Sequence, residues 1–262
     1  MSEGIRQILF FITIFLSNIL QGVTGFAGPV LAMPFSILLV GYDTARPVLN
    51  AIGVAAGLCL MLEGIRYVRW KTLLRVVLNM AVGTGMGMLI RRYAPGSEGA
   101  LKIVFALFAM GIAVRGVVTA VRQKRREKAG AADALPVGPE MSAGKRTAID
   151  CAMLVGAGVA HGLFVSGGPL LVGFLTRNID DTKSFRATLS AVWVILNGVV
   201  LVDDALSGVF TQAMLARYWP ALPALLLAIL IGTLLARRIR RETFLLLTFG
   251  LLFVSGATLL LR

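Results

Sequence analysis

Long apolar stretches separated by short basic or glycine-rich interruptions run along the whole chain. A helix that crosses the hydrocarbon layer of a membrane needs about 20 mostly apolar residues. Ala45–Leu62, Thr72–Ile90, Leu101–Ala120, Arg186–Val202, Met214–Ala236 and Thr243–Leu261 each meet that pattern cleanly. Ile5–Val40 and Ile149–Thr176 are also apolar, but glycine and proline interrupt both midway. The one long polar stretch, Val121–Arg146, opens with Arg122, Lys124, Arg125, Arg126 and Lys128. It reads as a solvated cytoplasmic linker, with a regulatory or lipid-specific role as the alternative. The pattern predicts an all-α polytopic membrane protein with a first transmembrane repeat (1–120), a basic linker (121–148) and a second repeat (149–262).

Composition narrows the class. Of the 262 residues, 57% are hydrophobic before glycine is counted and 15% are charged, against about 25% charged in soluble domains. The mean hydropathy is +0.84. A water-soluble globule needs more polar surface than this to cover its core. Soluble enzymes, disordered chains and disulfide scaffolds are therefore excluded. The net charge of +13 gathers between apolar stretches, as expected of loops beside an anionic cytoplasmic leaflet. It lacks the interleaved aromatics of a nucleic-acid surface, so no nucleic-acid partner is expected. Cys59 and Cys151 lie within apolar runs and imply neither a disulfide framework nor a metal site. The first apolar run continues to Leu20 without a small-x-small cleavage pattern, so it reads as a retained segment rather than a cleaved signal.

The two halves resemble each other at an offset of 140 positions. Gly22 pairs with Gly162, Gly28-Pro29 with Gly168-Pro169, Arg46 with Arg186, Leu49 with Leu189, Asn50 with Ser190 and Glu63 with Asp203. Gly83-Thr84 before Arg91-Arg92 echoes Gly232-Thr233 before Arg237-Arg238. Such paired interruptions predict an internal duplication. If each broken segment is a single kinked crossing, the repeats are parallel and Arg237–Arg241 falls outside, against the positive-inside rule. If each is a re-entrant hairpin, the second half is inverted. Arg66, Arg69, Lys71, the central loop, Arg177, Lys183, Arg186 and Arg237–Arg241 then all face the cytoplasm, and Asp203 and Asp204 face outward. Arg91 and Arg92 remain on the outer side in that arrangement, which is still the preferred one.

The chemistry concentrates at Gln21-Gly-Val-Thr-Gly-Phe-Ala-Gly-Pro29 and His161-Gly-Leu-Phe-Val-Ser-Gly-Gly-Pro169. Broken backbone survives in hydrocarbon only where protein or a wet cavity satisfies its polar groups. Proline after glycine is the expected opening of a helix, because its missing N–H is unpaired there anyway. Gly28-Pro29 and Gly168-Pro169 are thus expected to start short half-helices whose N-termini, with free N–H groups and a positive dipole end, bind one small anion between them. The alternative is that these glycines only allow close helix packing. Twin breaks at matching places favour the transporter reading.

These paired glycine-proline motifs, with the basic central loop and Thr188-Leu189-Ser190 early in the following helix, resemble the TauE/SafE family of sulfite exporters. The resemblance implies an ion-coupled or facilitated carrier of sulfite or organosulfur anions without ATPase parts. This chain departs from the pattern at Phe26-Ala27, where a glycine pair is more typical, and at Asn50 opposite Ser190.

Gln21, Thr24, Gly25, Phe26, Gly28 and Pro29 in the first half are the candidate substrate-binding residues, with His161, Ser166, Gly167, Gly168 and Pro169 in the second. Asn50, Ser190 and Asn197, polar positions within apolar helices, join them as cavity lining. His161 is the only histidine; it is either a packed residue bonded to a carbonyl or an anion donor and proton carrier. Arg46 and Arg186 are expected to snorkel to the headgroups, with attraction of anions at a pore mouth as the alternative, and Glu63 and Asp203 to be solvated at the interface, with proton coupling as theirs. Trp70, Trp219, Tyr67 and Tyr218 read as interfacial anchors, and Trp193 as core or cavity wall.

The expected partners are a small anionic solute, a coupling proton or sodium ion, and lipid. No cofactor is expected. An anion channel or a structural membrane subunit is the alternative to a carrier. A membrane enzyme comes third, after carrier and channel, since no nucleophile with a base, metal cluster or phosphate-binding motif appears.

Overall fold

The computed structural model describes residues 2–93 and 143–235, apart from 176 and 180, with scattered helical positions between 100 and 121 and between 249 and 260. Most of the predicted linker, the Arg237–Arg241 cluster and most of the last predicted span lie outside the described residues. Those described form helices α1 (Glu3–Thr24), α2 (Ala27–Val40), α3 (Tyr42–Gly64), α4 (Trp70–Tyr93), α5 (Ala143–Phe164), α6 (Gly168–Leu175), α7 (Thr182–Leu206), α8 (Gln212–Tyr218) and α9 (Ala221–Leu235). A further apolar helical stretch covers Ala106–Val118. The described residues contain no strand.

Helices α1, α4, α5 and α7, and α3 with the turn that follows it, are long and apolar enough to cross a membrane. The 24 residues of α4 extend about 36 Å at 1.5 Å each, against a hydrocarbon core of about 30 Å. Leu74, Leu78, Val82 and Leu89 of α4 and Leu222, Leu226, Leu230 and Leu234 of α9 are all exposed. Apolar stripes of that extent belong against lipid rather than water. The protein is an all-α polytopic membrane protein. The single crossing expected over Met214–Ala236 is instead interrupted between α8 and α9, at Trp219 and Pro220. Pro220 has no N–H to donate and its ring clashes with the preceding turn.

Both glycine-proline segments fold as helix hairpins. In the first, α2 returns along α1, so that Met33 and Ile37 share a core with Phe10 and Ile14. In the second, Arg177 beyond the end of α6 bonds Asp150 near the start of α5 at 3.0 Å. Glycines set the packing around them. A Cβ on Gly162 of α5 would lie 3.1 Å from the Cα of Gly87 on α4, and one on Gly22 of α1 would lie 3.0 Å from that of Gly232 on α9. Both pairs are parallel: Gly83 and Gly87 meet Val155 and Val159 in turn, and α1 meets Tyr218, at the end of α8 just before α9, through Phe10 and then Gly232 of α9 through Gly22. Lipid offers no hydrophobic drive between helices, so such close backbone approach supplies the association. By contrast α3 and α7 are antiparallel, with Arg46 against Asp204, Asn50 against Asn197 and Gly64 against Ala187.

Candidate functional site

Each hairpin turns through a residue with left-handed backbone, Gly25 (φ 81°) and Val165 (φ 54°). Glycine adopts this freely. A β-branched valine does so at a cost of about 1–2 kcal/mol, the kind of local strain that clusters at functional sites. The two turns meet: a Cβ on Gly168 would lie 3.2 Å from the ring of Phe26. Trp193, near the middle of the 25-residue α7, donates its indole N–H to the Gly25 carbonyl at 3.2 Å. The same indole stacks on His161, ring centroids 5.4 Å apart and planes at 28°. The turns are thus level with the middle of a membrane-spanning helix.

Between them lies a cavity of about 10 Å³, room for about one water. Of the residues singled out in the sequence, Gln21, Phe26, Pro29, Gly168 and Asn197 line it, together with Trp193 and the apolar Val30 and Val165. Thr24, Gly25 and Gly28 build the first turn, and Pro169 is the second residue of α6. Asn50 stands behind the wall, donating to the Asn197 carbonyl at 3.1 Å. Ser190 is buried beside Gly57, whose Cβ would lie 3.4 Å from the Ser190 carbonyl.

The two helix N-termini differ. At α2, Thr24 Oγ1 accepts the N–H groups of Phe26 (3.3 Å) and Ala27 (3.1 Å), Gln21 Oε1 accepts that of Gly28 (2.8 Å), and Pro29 has none. The expectation of bare amides at α2 is thereby corrected, because its own side chains cap them. In the second half Phe164 and His161 stand where the first has Thr24 and Gln21. A phenyl ring is at best a weak acceptor. The N–H groups of Ser166, Gly167 and Gly168 have no hydrogen-bond partner among the described residues. Neither do Ser166 Oγ and both ring nitrogens of His161, residues 1% and 0% exposed; the Leu196 backbone faces the imidazole without closing a good bond. The amide oxygens of Asn50 and Asn197 are unpaired as well. Leaving a buried polar group unpaired costs about 1–3 kcal/mol; of these groups, those of Gly168 and Asn197 belong to residues that line the cavity.

Charged residues depart further from expectation. Arg46 does not snorkel. It is 1% exposed, and its Nη1 bonds both carboxylate oxygens of Asp204 at 2.7 and 2.9 Å. Its Nη2 reaches the Gly162 carbonyl at 3.4 Å. Packed between α5 and α7, the guanidinium finds its counter-charge inside the protein, where a buried cation needs one. Arg91 pairs with Asp203 at 3.0 Å and Asp204 at 3.4 Å, so Asp203 is paired rather than simply solvated. Arg186, 140 positions after Arg46, donates at 2.9 Å to the carbonyl of Gly22, itself 140 positions before Gly162. Each arginine thus caps the C-terminal end of the first helix of the opposite hairpin, where unpaired carbonyls carry the negative end of the dipole. The offset of 140 already pairs these residues in the sequence; Asp204 carried no such signal. Trp70 and Trp219 are 62% exposed, as anchors are, whereas Tyr218 packs edge-on against Phe10 at 5.3 Å between centroids. Among the described residues no group of three or more His, Cys, Asp or Glu could hold a metal.

An all-α bundle with lipid-facing crossings and two interrupted hairpins meeting in its interior has the architecture of a polytopic membrane transporter. The chain belongs to the sulfite exporter TauE/SafE family, whose profile matches residues 10–259. It is similar to the probable inner membrane transporter protein TsaS of Comamonas testosteroni, 27% identical over 203 residues that cover 76% of this chain and 77% of that protein. No solved structure matches the chain.

Proposed function

We propose that the protein is a secondary carrier that moves a small sulfur or organic oxyanion across the cytoplasmic membrane by alternating access between two inverted halves. One observation carries this reading: Gly168, the first residue of α6, lines the cavity between the hairpins with its N–H unpaired, and the N–H groups of Ser166 and Gly167 and the Ser166 hydroxyl just before it are unpaired as well. Free amides and the positive end of a helix dipole favour an anion. His161, behind the wall, is the titratable group best placed to couple a proton to its passage.

Inversion of the halves is supported by the antiparallel run of α3 and α7 and by the exchanged arginine caps. The end of the bundle carrying Arg66, Arg69, Arg177 and Lys183 is the cytoplasmic one in this reading, by the positive-inside rule. Arg91 then lies on the outer side, but it is paired with Asp203 and Asp204 and adds no free charge there. The family name points to sulfite as the substrate class. A cavity of about 10 Å³ is too small for a four-atom oxyanion, so loading needs the hairpins to separate. That requirement favours a carrier over an open channel.

The test is Gly168→Leu, which drives a side chain into Phe26. Purified protein in proteoliposomes is expected to lose sulfite flux while remaining monodisperse and folded. Wild-type flux from this variant overturns the proposed site.

A further inference from the structure

We infer that Arg186 binds the substrate anion, whose oxygens take at Arg186 the position that the Asp204 carboxylate takes at Arg46. The inference rests on the carrier reading above and adds to it a residue and a geometric class of ligand. Arg46 and Arg186 share an offset of 140, and so do the carbonyls they cap, Gly162 and Gly22. Their second partners differ. Arg46 holds both oxygens of Asp204. The position 140 before Asp204 is Gly64, which brings no carboxylate. Gly64 stands in the matching place, since a Cβ on it would lie 3.3 Å from the Cβ of Ala187, next in the chain to Arg186.

Arg186 forms no ion pair among the described residues. Its guanidinium has five N–H donors, and the Gly22 carbonyl takes one. Arg186 also lies between the basic end and the cavity along α7. It precedes Trp193 of the cavity wall by seven residues of α7, about 10 Å at 1.5 Å each, and lies toward the basic end that carries Arg69 and Lys183. A planar fork of donors matches an anion with two acceptor oxygens on one atom, such as sulfite, a sulfonate or a carboxylate, and does not match a monatomic halide.

Two variants of the full-length protein test this, read by thermal unfolding in detergent against sulfite, methanesulfonate and chloride. Arg186→Gln is expected to weaken the apparent affinity for the two oxyanions about 10- to 100-fold, the loss of a charge-assisted pair of bonds. Gly64→Asp installs the missing carboxylate. It is expected to raise the unfolding temperature without anion and to weaken oxyanion binding by a similar factor, while Gly64→Asn stays within about twofold of wild type. If Arg186 is only a helix cap, Gly64→Asp leaves oxyanion affinity unchanged, and that result overturns the inference even where Arg186→Gln fails to fold. Oxyanion binding by wild type with unchanged affinity in both charge variants sinks Arg186 alone and leaves the carrier standing. Absence of any oxyanion effect on wild type sinks the carrier reading and this inference with it.

Discussion

Arg46 and Asp204 lie 2.7 Å apart across the interface of α3 and α7, with exposures of 1% and 0%. Taking both charges out of water is costly, and their attraction repays it only while both are present. Asp204→Asn takes away the carboxylate that Arg46 holds and leaves Arg91 with Asp203 alone, so the buried Arg46 guanidinium is left without a counter-charge. The expected loss is about 3–5 kcal/mol, measured by unfolding in detergent. The apolar pair Arg46→Met with Asp204→Leu should recover most of that loss. A double variant as unstable as the single one would show that the pair is not the source.

Close glycine contacts hold the two parallel helix pairs, and they predict a sharp contrast along one helix. On α4, a Cβ at Gly87 would press against the Val159 carbonyl at 2.6 Å, whereas one at Gly85 would meet nothing within 4 Å. Gly87→Ala should therefore destabilise by about 1–3 kcal/mol through overpacking. Gly85→Ala should be neutral or stabilise by up to about 1 kcal/mol, since alanine is the better helix former. Melting temperatures of the two purified variants settle the comparison; equal values would remove the helix-contact argument.

The hydroxyl of Thr24 holds two amides at the start of α2. Replacing it by valine keeps the shape and removes the acceptor. Thr24→Val should cost about 1 kcal/mol, the usual worth of such a cap. Because the freed amides then resemble those of α6, added sulfite should restore part of the lost stability. A titration in which sulfite stabilises the variant less than wild type would contradict the role given to these amides.

Apolar run length made the crossings over 45–62, 72–90 and 186–202 legible, because hydrocarbon thickness imposes it. The helix starts at Gly28-Pro29 and Gly168-Pro169 were legible too, because proline has no N–H to lose there. What stayed hidden depended on contacts across the halves. Nothing local distinguishes a snorkelling Arg46 from one buried against Asp204, 158 residues away. The capping of α2 was readable in principle, since Thr24 and Phe164 share the offset of 140 and only one is an acceptor. The interruption at Pro220 was a local signal overridden by the apolar run around it.

Asp181, just before α7, gives a pH dependence whose sign is fixed by its bonds. Its carboxylate accepts the Ser184 N–H at 2.7 Å and lies 3.4 Å from Arg69. The Ser184 bonds, more than the arginine, hold this carboxyl below the ordinary carboxylate range. A carboxyl with a lowered folded-state pKa stabilises the fold fully above its unfolded value of about 3.9 and loses that contribution as the pH falls through the lower folded value. Unfolding temperature should therefore drop as the medium is acidified below about pH 4. Asp181→Ser retains an oxygen that can cap α7 but cannot titrate, so its curve should fall less steeply over the same range. Because Asp181 is solvent-exposed, the difference should be small and should shrink further in high salt where Arg69 contributes. Parallel acid limbs for wild type and Asp181→Ser would mean that the charge at the head of α7 is not linked to folding.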